Sequence, residues 1–451
     1  MSGPVQPPQE NKMGVMPIRR LLLTMSGPMM VSMLIQALYN VVDSMFVSYI
    51  SEGALTAVSL AYPMQNLMIA VATGTGVGVN ALLSRNLGEK NFEMANRAAG
   101  NAIFLGVVSF AVFALVGAVG SRLYFAVQVD DPEIIAYGVD YLSVIMVLSV
   151  GCFGQVLLSR LLQSTGKTFY SMVIQLVGAG LNIVLDPIMI FGLLGCPAMG
   201  VAGAALATVI SQVAGTILGL YYNLRKNPEI RFAWTYLRPS KPVIARIYGV
   251  GIPSILLQTV SSLLIFGLNQ ILVVFSETAT AVYGVYFKLQ GFAFLPIIAY
   301  NYGARKPDRI METIKLAIRY ATLIMVVAVV LFQIFPAQLL GIFQASPEML
   351  TIGVPALRIL SLCFLIGGFT IVASSVFQAL GKGLLSMSIS VFRQLILVLP
   401  LAYALSLTGE LNMVWWSFPI AEVLAGLLAL YYLRRAHRRV IQPLADQDYR
   451  F

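Results

Sequence analysis

Charge is scarce in this chain. Of 451 residues, only 11% are Asp, Glu, Lys or Arg, against about a quarter in soluble domains. Cysteine is scarcer: Cys152, Cys196 and Cys363 are too few and too scattered for a disulfide framework or a zinc site. The single histidine, His437, lies in a basic stretch and has no second histidine with which to hold a metal. No Ser/His/Asp or Cys/His constellation stands out, so catalysis has no nucleophile and base to work with. The chain is not read as an enzyme, and no cofactor is expected. What is abundant is apolar: 58% of residues are hydrophobic and the mean hydropathy is +0.84. This excludes a soluble enzyme, a disordered chain and a disulfide scaffold. The apolar residues come in long blocks, so lipid is the solvent for most of the chain. The first 20 residues are polar, end in Arg19-Arg20, and precede an apolar run too long for a signal peptide.

Twelve spans are expected, at 20–49, 54–83, 97–120, 135–162, 169–193, 199–223, 245–275, 279–301, 312–334, 350–380, 384–407 and 413–433. Short connections carry turn chemistry, such as Ser51-Glu52-Gly53, Asp130-Asp131-Pro132 and Thr408-Gly409. The longest connection, Asn223 to Arg246, lies near the midpoint and suggests a joint between two halves, 1–230 and 231–451. The fold class read from this pattern is an all-α polytopic membrane protein with twelve transmembrane helices in two pseudo-symmetric six-helix lobes.

The basic residues orient it. Lys and Arg crowd both ends and the even-numbered connections, whereas the odd-numbered connections hold only Arg122; Lys288, Arg358 and Arg393 fall inside spans. Basic residues stay on the cytoplasmic side, so both termini are expected there. The formal charge of +10 is then a topology signal facing anionic lipid, not a nucleic-acid footprint.

The chain also repeats itself. Gly138-Val139 matches Gly353-Val354, Gln163 with Gly166-Lys167 matches Gln378 with Gly381-Lys382, and Ser171-Met172 matches Ser386-Met387, each at an offset of 215. Asn86 and Gly88 match Asn301 and Gly303 at the same offset. Upstream, Thr56-Ala57-Val58 matches Thr280-Ala281-Val282 at 224. Two parallel copies of a six-helix unit, related by an axis along the membrane normal, leave a cleft between lobes. The falling offset means that the second copy has lost about nine residues between Thr280 and Asn301, or ~13 Å of helix. That span also contains Pro296 and Lys288. Either it is a discontinuous helix of functional kind, or the loss impairs it.

Four motifs carry a family resemblance: Asn40-Val-Val-Asp43-Ser-Met-Phe-Val in span one, Asn182-Ile-Val-Leu-Asp186-Pro187 in span five, Gly200-Val-Ala-Gly-Ala-Ala-Leu-Ala-Thr208 at the start of span six, and Ile-Ala-Tyr-Asn-Tyr-Gly303-Ala-Arg after span eight. Together they resemble the multidrug and toxic compound extrusion (MATE) family, in its bacterial multidrug-exporter branch, over residues from about 17 to 435. The resemblance implies a secondary antiporter of the bacterial plasma membrane. It would exchange organic cations and drugs for Na⁺ or H⁺ by alternating inward-open and outward-open states.

The residues point the same way. Intramembrane acids are costly and mark ion or proton paths. Only Asp43, Asp186 and Glu422 lie well inside spans. Asn40 stands three residues before Asp43 and Asn182 four before Asp186, which puts each amide on its acid's helix face. With Thr208 these oxygens suit a hard cation such as Na⁺; the same acids are able to hold a proton instead, or to serve as structural glue between helices. The coupling-ion candidates are therefore Asp43, Asp186, Asn182, Asn40 and Thr208. Cation entry is expected to favour one bend of span one and so lower drug affinity on the outer side.

The second copy lacks these acids: Asn182 and Asp186 fall on Leu397 and Leu401. Its polar candidates are Gln258, Lys288 and Glu422, the last a functional acid or a partner of Arg393 or Lys288. Met33, Gln36, Tyr39 and Met64, with Phe287 and Phe292, are candidates for a greasy, adaptable substrate cleft. Thr73-Gly74-Thr-Gly76-Val-Gly78 imitates a phosphate loop, but no strand precedes it, and close helix packing is the expected use. Expected partners are small organic cations, Na⁺ or H⁺ and membrane lipid, with the protein a monomer and no nucleic acid bound. Two rival readings remain: a lipid-linked precursor flippase of the same architecture, using Lys288, Arg358 and Arg393 for pyrophosphate, and a non-functional paralogue with a shortened eighth helix.

Overall fold

The computed structural model describes residues 11–272, 295–341 and 347–443. Its contacts divide the chain into two compact units, Met1–Ile255 and Leu256–Phe451. The first contains the short α1 (Lys12–Val15), then α2 (Ile18–Ser48), α3 (Glu52–Gly88), α4 (Phe92–Ala126), α5 (Pro132–Val147), α6 (Val150–Ser164), α7 (Thr168–Phe191), α8 (Gly200–Lys226), the short α9 (Trp234–Leu237) and the start of α10 (Lys241–Leu272). The second follows with α11 (Leu295–Gly303), α12 (Pro307–Ile334), α13 (Pro336–Gly341), α14 (Pro347–Ser361), α15 (Phe364–Ala379), α16 (Gly383–Val391), α17 (Leu399–Ser406), α18 (Leu411–Trp415) and α19 (Ser417–Ala436). Nine of the described helices are long and apolar enough to cross a membrane, or up to eleven spans when two bent pairs are included. The eighth expected span, 279–301, lies outside the described residues except for its last turns in α11. Lys288, Phe287, Phe292 and the site of the nine-residue loss lie outside them too.

Local chemistry sets the helix ends. The Ser51 hydroxyl accepts a hydrogen bond from the Ala54 N–H at 3.0 Å and opens α3. Asn91 does the same for Met94 at 3.1 Å in α4. Asp131 accepts from the Glu133 N–H at 2.9 Å ahead of Pro132 in α5. Each satisfies a donor that the first helical turn leaves free. Gly192, with φ of 75°, ends α7 in the left-handed region.

The duplication read from the sequence is visible in the backbone. Lys90 and Arg305 both have positive φ, at 58° and 53°, and Gly166 and Gly381 do as well, at 81° and 74°. The same side-chain bonds recur: Gln163 donates to the Ser171 hydroxyl at 2.8 Å and Gln378 to the Ser386 hydroxyl at 3.1 Å. Asn86 and Asn301 donate to the carbonyls four residues back, Leu82 at 2.7 Å and Ile297 at 2.9 Å. Equivalent turns therefore close with equivalent bonds.

The fourth and tenth spans are bent instead of straight. α5 meets α6 at 45° and α14 meets α15 at 53°. At both breaks the hydrogen bonds tighten to three-residue spacing, from the Ser149 N–H to the Met146 carbonyl and from the Cys363 N–H to the Leu360 carbonyl. A tightened turn turns the helix axis. The eleventh span carries seven residues of π-helix, Phe392–Val398, between α16 and α17.

The glycines of the Thr73–Gly78 run serve packing. α3 meets α10 along Gly74 and Gly78 on one side and Ile247 and Gly251 on the other, and a Cβ on Gly78 would collide with the Ile247 carbonyl. A buried apolar cluster including Met68, Phe125, Tyr141, Phe153 and Ile190 fills the first unit. A second, around Leu268, Phe332, Phe364, Trp415 and Phe418, fills the other.

Ahead of α2 the chain docks on the turn that follows α6. Met13 is fully buried, and Asn11 donates to the Thr165 carbonyl at 3.1 Å and to the Glu229 carboxylate at 2.6 Å. Burial lowers the Lys12 and Lys167 ammonium pKa values, Lys12's further through Lys167, with Glu229 opposing. Burial raises the Glu229 carboxyl from its usual 4.5, against the pull of Lys167, Asn11 and Lys12. Glu229 therefore favours docking in its protonated form, and its contribution is complete below 4.5 and lost as pH rises through the raised value. Lys12 works in the opposite sense: its contribution is present above 10.5 and lost as pH falls through its lowered value. Amide exchange at residues 11–16 is expected to slow as pH falls across the Glu229 window, after correction for intrinsic rates. Glu229→Gln should flatten that limb; an unchanged profile would show that Glu229 does not control docking.

Candidate functional site

The first unit gathers its intramembrane polar groups where α2, α7 and α8 meet. Tyr39 and Asp43 are four residues apart on α2, and Asn182 and Asp186 four apart on α7, so each pair shares one helix face. α8 brings Thr208. Asn182, Asp186 and Thr208 are 1%, 0% and 2% exposed. The Asn182 amide nitrogen donates to Asp186 Oδ1 at 3.2 Å and to Thr208 Oγ1 at 3.3 Å. Tyr39 reaches the Thr208 hydroxyl. Asp43 and Asp186 are close enough to act on each other electrostatically. Pro187 has no N–H, so the α7 backbone loses one helical donor beside Asp186.

Among the described residues, three oxygens in this cluster have no hydrogen-bond donor: Asp43 Oδ1, Asn182 Oδ1 and Asp186 Oδ2. A buried acceptor left without a donor costs about 1–3 kcal/mol, more when it is charged. The donor set is all oxygen, with two carboxylates, an amide carbonyl and a hydroxyl. Such a set fits a hard monovalent cation or a proton. Asn40 lies on α2, and its side chain is outside the described residues.

The other sequence candidates fall in different places. Gln36 is exposed on α2 and accepts from the Gln175 amide at 2.5 Å. Gln175 in turn accepts from Gln155 at 3.5 Å. Met33 is exposed on α2, whereas Met64 packs against the first unit's core with Leu142 and Met146. Gln258 is half-buried on α10. Glu422, 6% exposed, forms an ion pair with Arg393 at 3.1 Å. Of the three basic residues that kept a pyrophosphate-binding reading open, Arg393 is therefore held by a carboxylate, Arg358 is exposed on α14 and Lys288 lies outside the described residues.

Sequence reading passed over the glutamine relay Gln36–Gln175–Gln155. One signal was available: Gln175 lies seven residues before Asn182, two turns along the same face of α7. Gln155 carried no such signal, because it joins from a different helix.

Comparison with known proteins is consistent along the chain. The MatE family model matches residues 28–188 and 272–404. Multidrug export protein MepA of Staphylococcus haemolyticus (strain JCSC1435) is 26% identical over 434 residues, 94% of this chain and 95% of that protein. MepA of Staphylococcus aureus (strain MSSA476) is 27% identical over 432 residues, 93% of this chain and 94% of that protein. A solved structure described as MATE in complex with MaL6 superposes with a TM-score of 0.89 at 25% identity, covering 98% of this chain and all of the other.

Proposed function

The chain belongs to the MatE family, the multidrug and toxic compound extrusion transporters, and on that premise we propose that it is a secondary antiporter exporting organic cations and drugs in exchange for Na⁺ or H⁺. The observation that carries this reading is the pair Asp43 and Asp186, each with a buried oxygen that has no donor among the described residues, beside the Asn182 carbonyl. A carboxylate pair within lipid-embedded helices is expensive unless an ion or proton neutralises it. An exchangeable cation at these oxygens gives the protein a charge to trade against an organic cation.

Coupling requires only that ion and drug prefer different states. The cluster joins α2 to α7 and α8, so a cation there stabilises one setting of α2, which already contains Pro28. That setting lowers drug affinity on the outer side. The two MepA proteins are named as multidrug exporters, which supports a broad range of substrates. The basic ends and even-numbered connections support a bacterial plasma membrane protein with both termini cytoplasmic, acting as a monomer.

The test is efflux of a fluorescent organic cation from vesicles of cells lacking their own exporters, under an imposed Na⁺ gradient or an imposed proton gradient. Efflux driven by one gradient identifies the coupling ion. Efflux that ignores both gradients would overturn the antiport reading.

A further inference from the structure

The second unit carries its own polar pair at the same helix crossing as the first, with Glu422 buried, Arg393 half-buried and the charge pattern changed. The offset of 215 that aligns Ser171-Met172 with Ser386-Met387 places Leu397 at the position of Asn182 and Arg393 at the position of Gly178. Tyr221-Tyr222 and Tyr431-Tyr432 align α8 with α19 at an offset of 210. This places Phe418 at the position of Thr208 and Glu422 at the position of Gln212. The Asn182–Thr208 bond of the first unit is thus replaced by the apolar pair Leu397 and Phe418. One turn away along the same antiparallel crossing, Arg393 donates to Glu422 Oε2 at 3.1 Å.

Three features show that this is a built arrangement. Arg393 lies in the π-helical stretch Phe392–Val398, a winding that recurs at functional sites. Glu422 is buried, and among the described residues only Oε2 has a donor: Oε1 has none. That oxygen faces Gly367 of α15, where an added Cβ would sit 3.9 Å from it and meet nothing else among the described residues within 4 Å. Glu422 and Asp186 are the acidic residues that are buried among those described. Among the described residues Asp186 stands in a cluster without a basic partner, whereas Glu422 stands against a guanidinium from its own unit.

We propose that Arg393 is a tethered counter-cation, supplying Glu422 from within the chain with the positive charge that an exchangeable Na⁺ or proton supplies to the acids of the first unit. While Arg393 is paired, Glu422 exchanges no ion, and the chain carries one exchangeable cation site in place of two. Removing the guanidinium turns Glu422, with its free Oε1 and the space beside Gly367, into a second site for a monovalent cation. The inference rests on the first-unit reading for its comparison, but its test does not.

The experiment counts cations on purified full-length protein, using radiolabelled Na⁺ binding and, in parallel, proton uptake followed with a pH dye. Arg393→Gln is expected to gain one Na⁺ or one titrating proton per chain, and Arg393→Gln with Glu422→Gln to lose it again. Arg393→Lys should keep the wild-type count. Folded Arg393→Gln protein with an unchanged count would overturn the proposal. Glu422→Gln alone, which leaves Arg393 in place, guards against a failure of Arg393→Gln to fold: an unchanged count supports the tethered cation, and the loss of one cation overturns it by making Glu422 an exchanging site already. Repeating the series with Asp43→Asn separates the two readings. A first-unit failure appears as no loss on Asp43→Asn, and a failure here appears as no gain on Arg393→Gln.

Discussion

Asp43→Asn and Asp186→Asn are each expected to reduce gradient-driven efflux at least tenfold and to weaken cation binding about 100-fold, or ~2.8 kcal/mol at about 1.4 kcal/mol per decade. Asparagine keeps the shape of the side chain and an oxygen, so packing changes little. At position 186 the bond from the Asn182 amide has an acceptor in either side chain. What is lost is the negative charge that the cation neutralises. The two acids act on each other, and on the proposal that they share one ion the double variant should lose little more than either single one; independent sites would add instead. Efflux by either variant at the wild-type rate, under the gradient that drives the wild type, would remove that acid from the coupling site.

Gly78→Val is expected to cost at least about 1–3 kcal/mol, the usual penalty for overfilling a packed interface. The effect should sit at the upper end, because the collision is with the Ile247 backbone carbonyl and not with a flexible side-chain tip. α3 and α10 would have to separate along the whole Gly74–Gly78 contact. A lower melting temperature in detergent and reduced yield of monodisperse protein are the expected readouts. Gly180 is the control on the same measurement, since a Cβ there meets nothing within 4 Å. Equal melting of Gly78→Val and Gly180→Val would show that the close approach does not limit stability.

Composition and periodicity alone determine a membrane protein of long apolar helices, because a chain with so little charge has no other way to satisfy its backbone in lipid. Internal matches determine the duplication, and the backbone repeats it down to the positive φ of Gly166 and Gly381. Asp43 and Asp186 are legible for the same energetic reason: an acid inside a span is rare enough to stand out, and the spacing to Asn182 puts the amide on its face. Periodicity stops at the single helix. It says which side chains share a face, but not how one helix is rotated against the next. That rotation decides that Asn182 reaches Thr208, that Gln155 joins Gln175, and that Met64 packs against the core. It also decides Glu422's partner. From the sequence Arg393 and Lys288 stand as equal candidates; the π-helical turn and the crossing with α19 bring the Arg393 guanidinium to the carboxylate. The bends at Leu148 and Cys363 and the docking of Met13 likewise depend on neighbouring helices. Burial free energy selects those contacts among many helix orientations with nearly equal local energies, and only the assembled tertiary structure contains that information.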